Sequence, residues 1–426
     1  MNTAHADISA DWSIARPCGL RLTALLVLLA FSTFNADAQT FTVLHSFQAG
    51  ADGYEPYAGV TIDQGGNLYG TTSEYDGNGP GTVYRMTRSN GSWLFAKLNN
   101  PYGRISMGRV VFGPGGALYG TTQYGGDGGC TELGCGSVYS IRAPQTFCGS
   151  INCVWPSSPV YTFPGYGDLG NQPGLVDPAF DATGNMYGTT TYGGAHYSGN
   201  VFKLTRSDGV WTGTSIHDFD GNDGYLPESG VIFDAQGNIY GTAWMGGPHN
   251  TGTVYRLVNT GSGWTEQTLY DFPSAADGAG PAAALVMDQA GNLYGATSVG
   301  GVNGGGTVFE LSPSGGSWNF RVLYSFTGQG YDPGPLTALT LDAGGNLYGT
   351  TSLDGAYGLG SVFKLTHNND GSWTMTDLHD FTNGSDGKNP ISEVSIDAHG
   401  NLFGTTSAGA SDHHCIDCGT VWEIIP

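Results

Sequence analysis

Positive charge is scarce in this chain: 14 Lys and Arg stand against 36 Asp and Glu, a formal net charge of −22 over 426 residues. Such a surface repels phosphate backbones, and no basic stripe offsets it, so nucleic-acid binding is disfavoured. Charged residues of both signs make up only 12%, yet an equal share is aromatic and apolar alternation recurs, which argues against a disordered chain. Long apolar runs are also missing. The one candidate, residues 22–34, is too short for a comfortable membrane span. No nucleophile elbow, phosphate loop or metalloprotease helix motif occurs.

That single apolar run has the grammar of an export signal. Arg16 and Arg21 precede it, and Ala36-Asp37-Ala38 offers a cleavage site before Gln39. The expected organisation is a signal peptide over residues 1–38 and a folded unit over 39–426, secreted or periplasmic. The basic region is long, which leaves the true start codon open. Cys18 lies before the run and no cysteine directly follows it, which speaks against a lipid anchor. Six further cysteines fall in three close pairs: Cys130 and Cys135, Cys148 and Cys153, Cys415 and Cys418. In an oxidising compartment they read as three local disulfides, although spacing alone leaves other connectivities open.

What is abundant is glycine, with 72 residues, and a repeated phrase. Gly-Asn-Leu-Tyr-Gly-Thr-Thr or a close variant occurs seven times, its aromatic at Tyr69, Tyr119, Tyr187, Tyr240, Tyr294, Tyr348 and Phe403. A period near 54 residues, written in short strand-like runs and glycine turns, is that of propeller blades. Around the fifth copy, residues 281–287 predict a first strand and 293–295 a second. Residues 306–311 predict a third, and a fourth runs from Trp318 to Phe326. The turn between the first two strands opens on Asp63, Asp181, Asp234, Asp288, Asp342 or Asp397, with Gly113-Pro114 in the second blade. An Asp there accepts backbone amides two residues on. One carboxylate per loop is a structural turn rather than a calcium site, which needs six or more oxygens. A Val-aromatic pair marks every third strand, from Val83-Tyr84 to Val421-Trp422, and reads as packing between blades. The fourth strand of the last blade is missing at the C-terminus and present instead at residues 41–47. The fold class is therefore all-β: a seven-bladed β-propeller of four-stranded antiparallel blades, its ring closed by the N-terminal strand.

Residues Asp-x-x-Gly-Asn-Leu-Tyr-Gly-Thr-Thr, then Gly-Thr-Val-Phe, then Leu-Tyr-x-Phe resemble the Gloeo/Verruco (GloVer) tandem repeat of choice-of-anchor bacterial surface proteins. The likeness covers residues 41–426. It implies an exported bacterial repeat protein, and it transfers no catalytic residue. The C-terminal anchor usual in that family is not recognisable here. A weaker similarity, to NHL-type and virginiamycin B lyase-type propellers, speaks to fold rather than chemistry.

Candidate sites follow from propeller topology. The loop entering each first strand and the loop joining strands two and three share one end of the ring. The entering loops carry Asp52, Asp168, Asp223, Asp277, Asp332 and Asp386; the joining loops are glycine-rich and hold His196, His249 and His413-His414. Loops on a rigid scaffold are where binding concentrates, although Asp-Gly also simply builds turns. On the innermost strands, four residues before the turn Asp, most blades place Gly or Ala. Three instead place Arg109, Asp177 and Glu393, candidates for catalysis or for a structural ion pair. His413-His414-Cys415-Ile416-Asp417-Cys418 admits a zinc site, but Cys130 and Cys135 occupy the same loop of blade 2 without histidines. A recurring disulfide is the better reading.

The expectation is an exported, non-enzymatic scaffold, monomeric, binding glycans or an extracellular protein surface through its acidic loops. It needs no cofactor, with a divalent cation such as calcium as the alternative. A lyase or hydrolase working at the central channel, and a purely structural surface protein, are the competing readings.

Overall fold

The computed structural model describes residues 39–426 except 49, 51, 74–78, 127–128, 131–132, 145–152, 166, 168, 174–176, 329, 331–332 and 411–416. The chain divides into two units, Met1–Ala38 and Gln39–Pro426, and the first, with its expected signal peptide, lies outside the described residues. Seven four-stranded antiparallel sheets make up the second. Blade 3 is representative: Ala179–Phe180, Met186–Thr190, Asn200–Ser207 and Val210–Asp218 pair in sequence order. In the last blade, Ser395–Ile396, Leu402–Thr406 and Thr420–Ile425 are completed by Thr40–Ser46, which runs antiparallel to Thr420–Ile425.

First strands are shorter than the sequence pattern suggests. Of residues 281–287 only Val286–Met287 pairs, with Tyr294 and Leu293. The segment preceding it binds sideways, not along its own sheet. The Thr that follows the motif glycine donates its hydroxyl to the next blade's innermost segment, except in blade 5, which has Ala296: Thr189 donates to Ser229 O at 2.8 Å, Thr242 to Ala283 O at 3.0 Å and Thr350 to Ser392 O at 2.8 Å. Thr405 closes the circle, donating toward Pro56 O and Ala58 O at 2.9 and 3.0 Å.

The core lies between blades. Tyr187 and Val201 of blade 3 pack on Val231, Ile239, Tyr255 and Leu257 of blade 4, and Phe47, Phe403 and Val421 do the same against Val60, Leu68 and Tyr84 across the closure. The third-strand aromatics, including Tyr84, Phe202, Phe309, Phe363 and Trp422, are fully buried. They explain the Gly of Tyr-Gly-Thr. A β-carbon at Gly188 would stand 2.8 Å from Phe202 Cζ, and one at Gly404 2.2 Å from Trp422 Cζ2. Only a bare backbone lets those rings lie flat across the second strand.

Every blade also carries an irregularity the pattern does not announce. Pairing of strands three and four slips by one residue, Val201 opposing His217 while Phe202 opposes Ser215, and the same slip recurs in all seven blades. Such a bulge re-aims the following side chain. At His45, His217, Tyr270 and His379 it turns the side chain toward the next entering loop; blade 1 has Asn99 in that place.

Candidate functional site

The two ends of the ring are built from different chemistry. At the turn end, Asp181 Oδ1 accepts Thr183 N and Asn185 N, both at 2.9 Å, and Thr183 Oγ1 at 2.8 Å. Its Oδ2 accepts Asn185 Nδ2 at 2.8 Å and the motif tyrosine Tyr187 Oη at 3.1 Å. The set is nearly reproduced at Asp63, Asp234, Asp288 and Asp342. Burial alone would raise the Asp181 carboxyl, but the hydrogen bonds prevail and hold it down at about 2. These carboxylates are consumed by their own turns.

At the loop end, the entering-loop acids reach the side chains re-aimed by the bulge. His217 Nε2 lies 2.9 Å from Asp223 Oδ2; His45–Asp52 and His379–Asp386 pair at 3.3 Å. Tyr270 hydrogen-bonds to Asp277 in the same way. Burial lowers His45 and His379 below the usual imidazole range, against the pull of their aspartates. Asp386 also accepts Thr382 N at 2.9 Å and Thr382 Oγ1 at 2.7 Å. Thus Asp52, Asp223, Asp277 and Asp386 are each anchored to a neighbouring strand, while Asp168 and Asp332 lie outside the described residues. Their backbone carbonyls are fixed as well, Asp223 O accepting Thr253 Oγ1 at 2.9 Å and Asp277 O accepting Thr307 Oγ1 at 3.2 Å.

Beneath these loops the innermost segments enclose a cavity of about 250 Å³. Tyr57, Met107, Leu336 and Ile391 contribute an apolar wall; Gly230, Ala284 and Ala338 leave one side open. Arg109, Asp177 and Glu393 come together on the other side. Arg109 donates through its backbone N and Nε to Asp177 at 2.6 and 2.8 Å, and Nε also contacts Glu393 Oε1. Glu393 belongs to blade 7 and reaches Arg109 of blade 2 across Gly59 of blade 1. A β-carbon at Gly59 would sit 2.9 Å from Glu393 Cγ and closer still to its carbonyl. Glu228 lines the same cavity and escaped the sequence reading, because it lies two residues before the position compared between blades.

A Cys130–Cys135 disulfide closes the joining loop of blade 2. Cys153 and Cys418 are also disulfide-bonded, which removes the thiolate a zinc site would need at Cys418. Cys148, Cys415 and His413-His414 lie outside the described residues. Among the described residues no group of three or more His, Cys, Asp or Glu is placed to hold a metal, and no helix is long and apolar enough to cross a membrane.

Fold and site define a seven-bladed β-propeller whose variable loops and central cavity share one end. The chain belongs to the Gloeobacter/Verrucomicrobia repeat family, whose profile matches residues 172–422. A comparison with curated proteins finds no match. Among solved structures, a fungal alcohol oxidase in complex with copper is similar with a TM-score of 0.55 at 14% identity, over 91% of this chain and 76% of the oxidase. An ancestral GH74 enzyme gives 0.54 at 13% identity over 91% of this chain, which spans 51% of that enzyme. At such identities the likeness is one of fold alone.

Proposed function

We propose that this is an exported, secreted or periplasmic bacterial scaffold that binds glycans or an extracellular protein surface on the loop end of its ring. It acts as a monomer and without catalysis. The observation that carries this reading is the state of the channel's ionisable groups. Arg109 Nε is shared between Asp177 and Glu393, so the three knit blades 2, 3 and 7 together. Around them the entering loops are fixed by side-chain and backbone bonds, giving the preorganised surface that limits the ordering cost of binding.

The test is binding of the purified chain to a broad glycan array and to basic extracellular proteins, with calcium and again with chelator. Saturable binding, weakened by Asp223→Ala or Asp277→Ala in variants that still melt cooperatively, supports the reading. Loss of binding on chelation adds a calcium ion to it. Absence of binding to every probe sinks it. A channel lyase or hydrolase is the second reading, favoured by three carboxylates, Asp177, Glu228 and Glu393, and an arginine facing one cavity. Polysaccharide cleavage abolished by Glu393→Gln would establish it instead.

A further inference from the structure

Among the described residues, the two most exposed aromatics of the loop end lie in joining loops. Tyr197 of blade 3 is 66% exposed and Tyr357 of blade 6 is 63% exposed. Aligned on their glycines, the joining loops of blades 3 to 6 place Tyr197, Asn250, Gly304 and Gly358 in one slot, and all four are left-handed, with φ of 62°, 55°, 87° and 65°. Asn and Gly adopt that conformation readily, whereas a bulky aromatic is an outlier there. Ile105 and Leu226 are left-handed too, with φ of 55° and 56°, but Leu226 is buried, whereas in Tyr197 the same strain presents a ring to solvent.

The strained loop is nonetheless firmly held. Tyr197 N donates to Gly194 O at 3.3 Å, Gly199 N to Gly193 O at 3.0 Å, and Leu226 N of the next blade to Ser198 O at 3.1 Å. Around Tyr357, Gly358 N donates to Gly355 O at 3.2 Å and Gly360 N to Asp354 O at 3.0 Å. Both rings are therefore presented on fixed backbone, on blades three apart in a ring of seven.

Tyr197 stands among Gly, Ala, Ser and His, and Tyr357 among Gly, Ala and Asp with only the half-buried Leu353 and Leu359 near it in sequence. That is unlike the contiguous apolar centre of a protein interface. It suits a ligand that is itself a series of small amphipathic rings: the C–H face of a pyranose covers the aromatic face while its hydroxyls meet polar neighbours. The chain's net charge of −22 works against a polyanion. We propose that Tyr197 and Tyr357 are stacking platforms for an uncharged polysaccharide laid across the loop end. This rests on the binding reading above and narrows it.

The experiment measures retention of the full chain on immobilised uncharged glucan, mannan and xylan, beside a uronate polysaccharide and a basic protein. The expected result is binding to an uncharged polymer that survives high salt. It should weaken about tenfold in Tyr197→Gly and in Tyr357→Ala, with Tyr197→Phe close to wild type. Tyr197→Gly keeps the left-handed backbone and should melt like the parent, so lost binding cannot be ascribed to unfolding. Undiminished binding by both variants overturns the platforms and leaves the glycan reading intact. Retention only on the uronate or the basic protein overturns the platforms and leaves the scaffold. Retention on nothing overturns both.

Discussion

The turn end and the loop end of this ring use the same residue, aspartate, in opposite ways. At the turn end five copies repeat nearly one network onto Asp63, Asp181, Asp234, Asp288 and Asp342. At the loop end the described aspartates Asp52, Asp223, Asp277 and Asp386 pair with strand side chains that differ between blades: His45, His217, Tyr270 and His379. Repetition marks the end whose task is the same in every blade, which is to fold. Variation marks the end where blades have been free to differ, and there the cavity and exposed tyrosines lie. A propeller spreads its stability over like interfaces.

Removing the strand that joins the two ends of the chain has the largest expected effect. Deleting residues 39–48 strips the partner of Thr420–Ile425 and the buried Phe47. Burial of Phe47, with the partial burial of Phe41 and Leu44, contributes about 4 kcal/mol, a large part of the stability of a whole domain. The cooperative melt seen by circular dichroism should vanish; an unchanged melting temperature would show that the ring closes elsewhere.

A smaller cut at the loop end is Arg109→Gln, which strands Glu393, 8% exposed, beside Asp177. It should cost about 3 kcal/mol in urea unfolding; a neutral result would detach the triad from ring stability. At the turn end Asp181→Ala removes an acceptor of five hydrogen bonds and should cost about 2 kcal/mol. Its pH signature is distinctive. The carboxyl is near 3.8 unfolded and about 2 folded, so its stabilisation is full above about pH 4 and lost as pH falls through about 2. The variant and parent should converge in acid.

Two changes should stabilise. Tyr255 Oη is buried with no hydrogen-bond partner, where blades 3, 5 and 6 have Phe202, Phe309 and Phe363. Tyr255→Phe should therefore gain about 1 kcal/mol, read as a rise in melting temperature. Asp377 is the smallest case. Partial burial, then the neighbouring Asp380, push its carboxyl up to about 6. The folded state thus holds that proton more tightly than the unfolded chain. The contribution is full below the unfolded value of 3.8 and disappears as pH rises through about 6. Asp377→Asn should raise the melting temperature above about pH 7 and leave it unchanged below about pH 4. The reverse pattern would disprove the shared proton.

Repetition made the fold readable. Seven copies of one phrase announced seven blades, and residues 41–47 announced the closure, because a missing strand is conspicuous in a counted series. The bulge went unread although it breaks the apolar alternation of the fourth strand, as in Val322-Leu323-Tyr324 after Trp318 and Phe320, because a broken alternation alone does not say which residue is extra. The triad was half legible. Adjacency suggested Arg109 with Asp177, but Glu393 is two blades away and its reach depends on a bare Gly59 between them. Tyr197 was illegible for a related reason: its left-handed backbone shows only when the joining loops are superposed. The loop acids were found by position, yet position does not say that Asp52, Asp223, Asp277 and Asp386 have partners on the neighbouring strand.

The central claim is that the loop end of the ring, and not the turn end, carries the binding surface. Amide hydrogen exchange of the full chain, alone and saturated with an uncharged polysaccharide that it retains, tests that division directly. Added protection should appear in the joining loops at 193–199 and 355–360, with turns 63–67, 181–185 and 234–238 unchanged. Protection gained at those turns, or at no segment of either end, would contradict it.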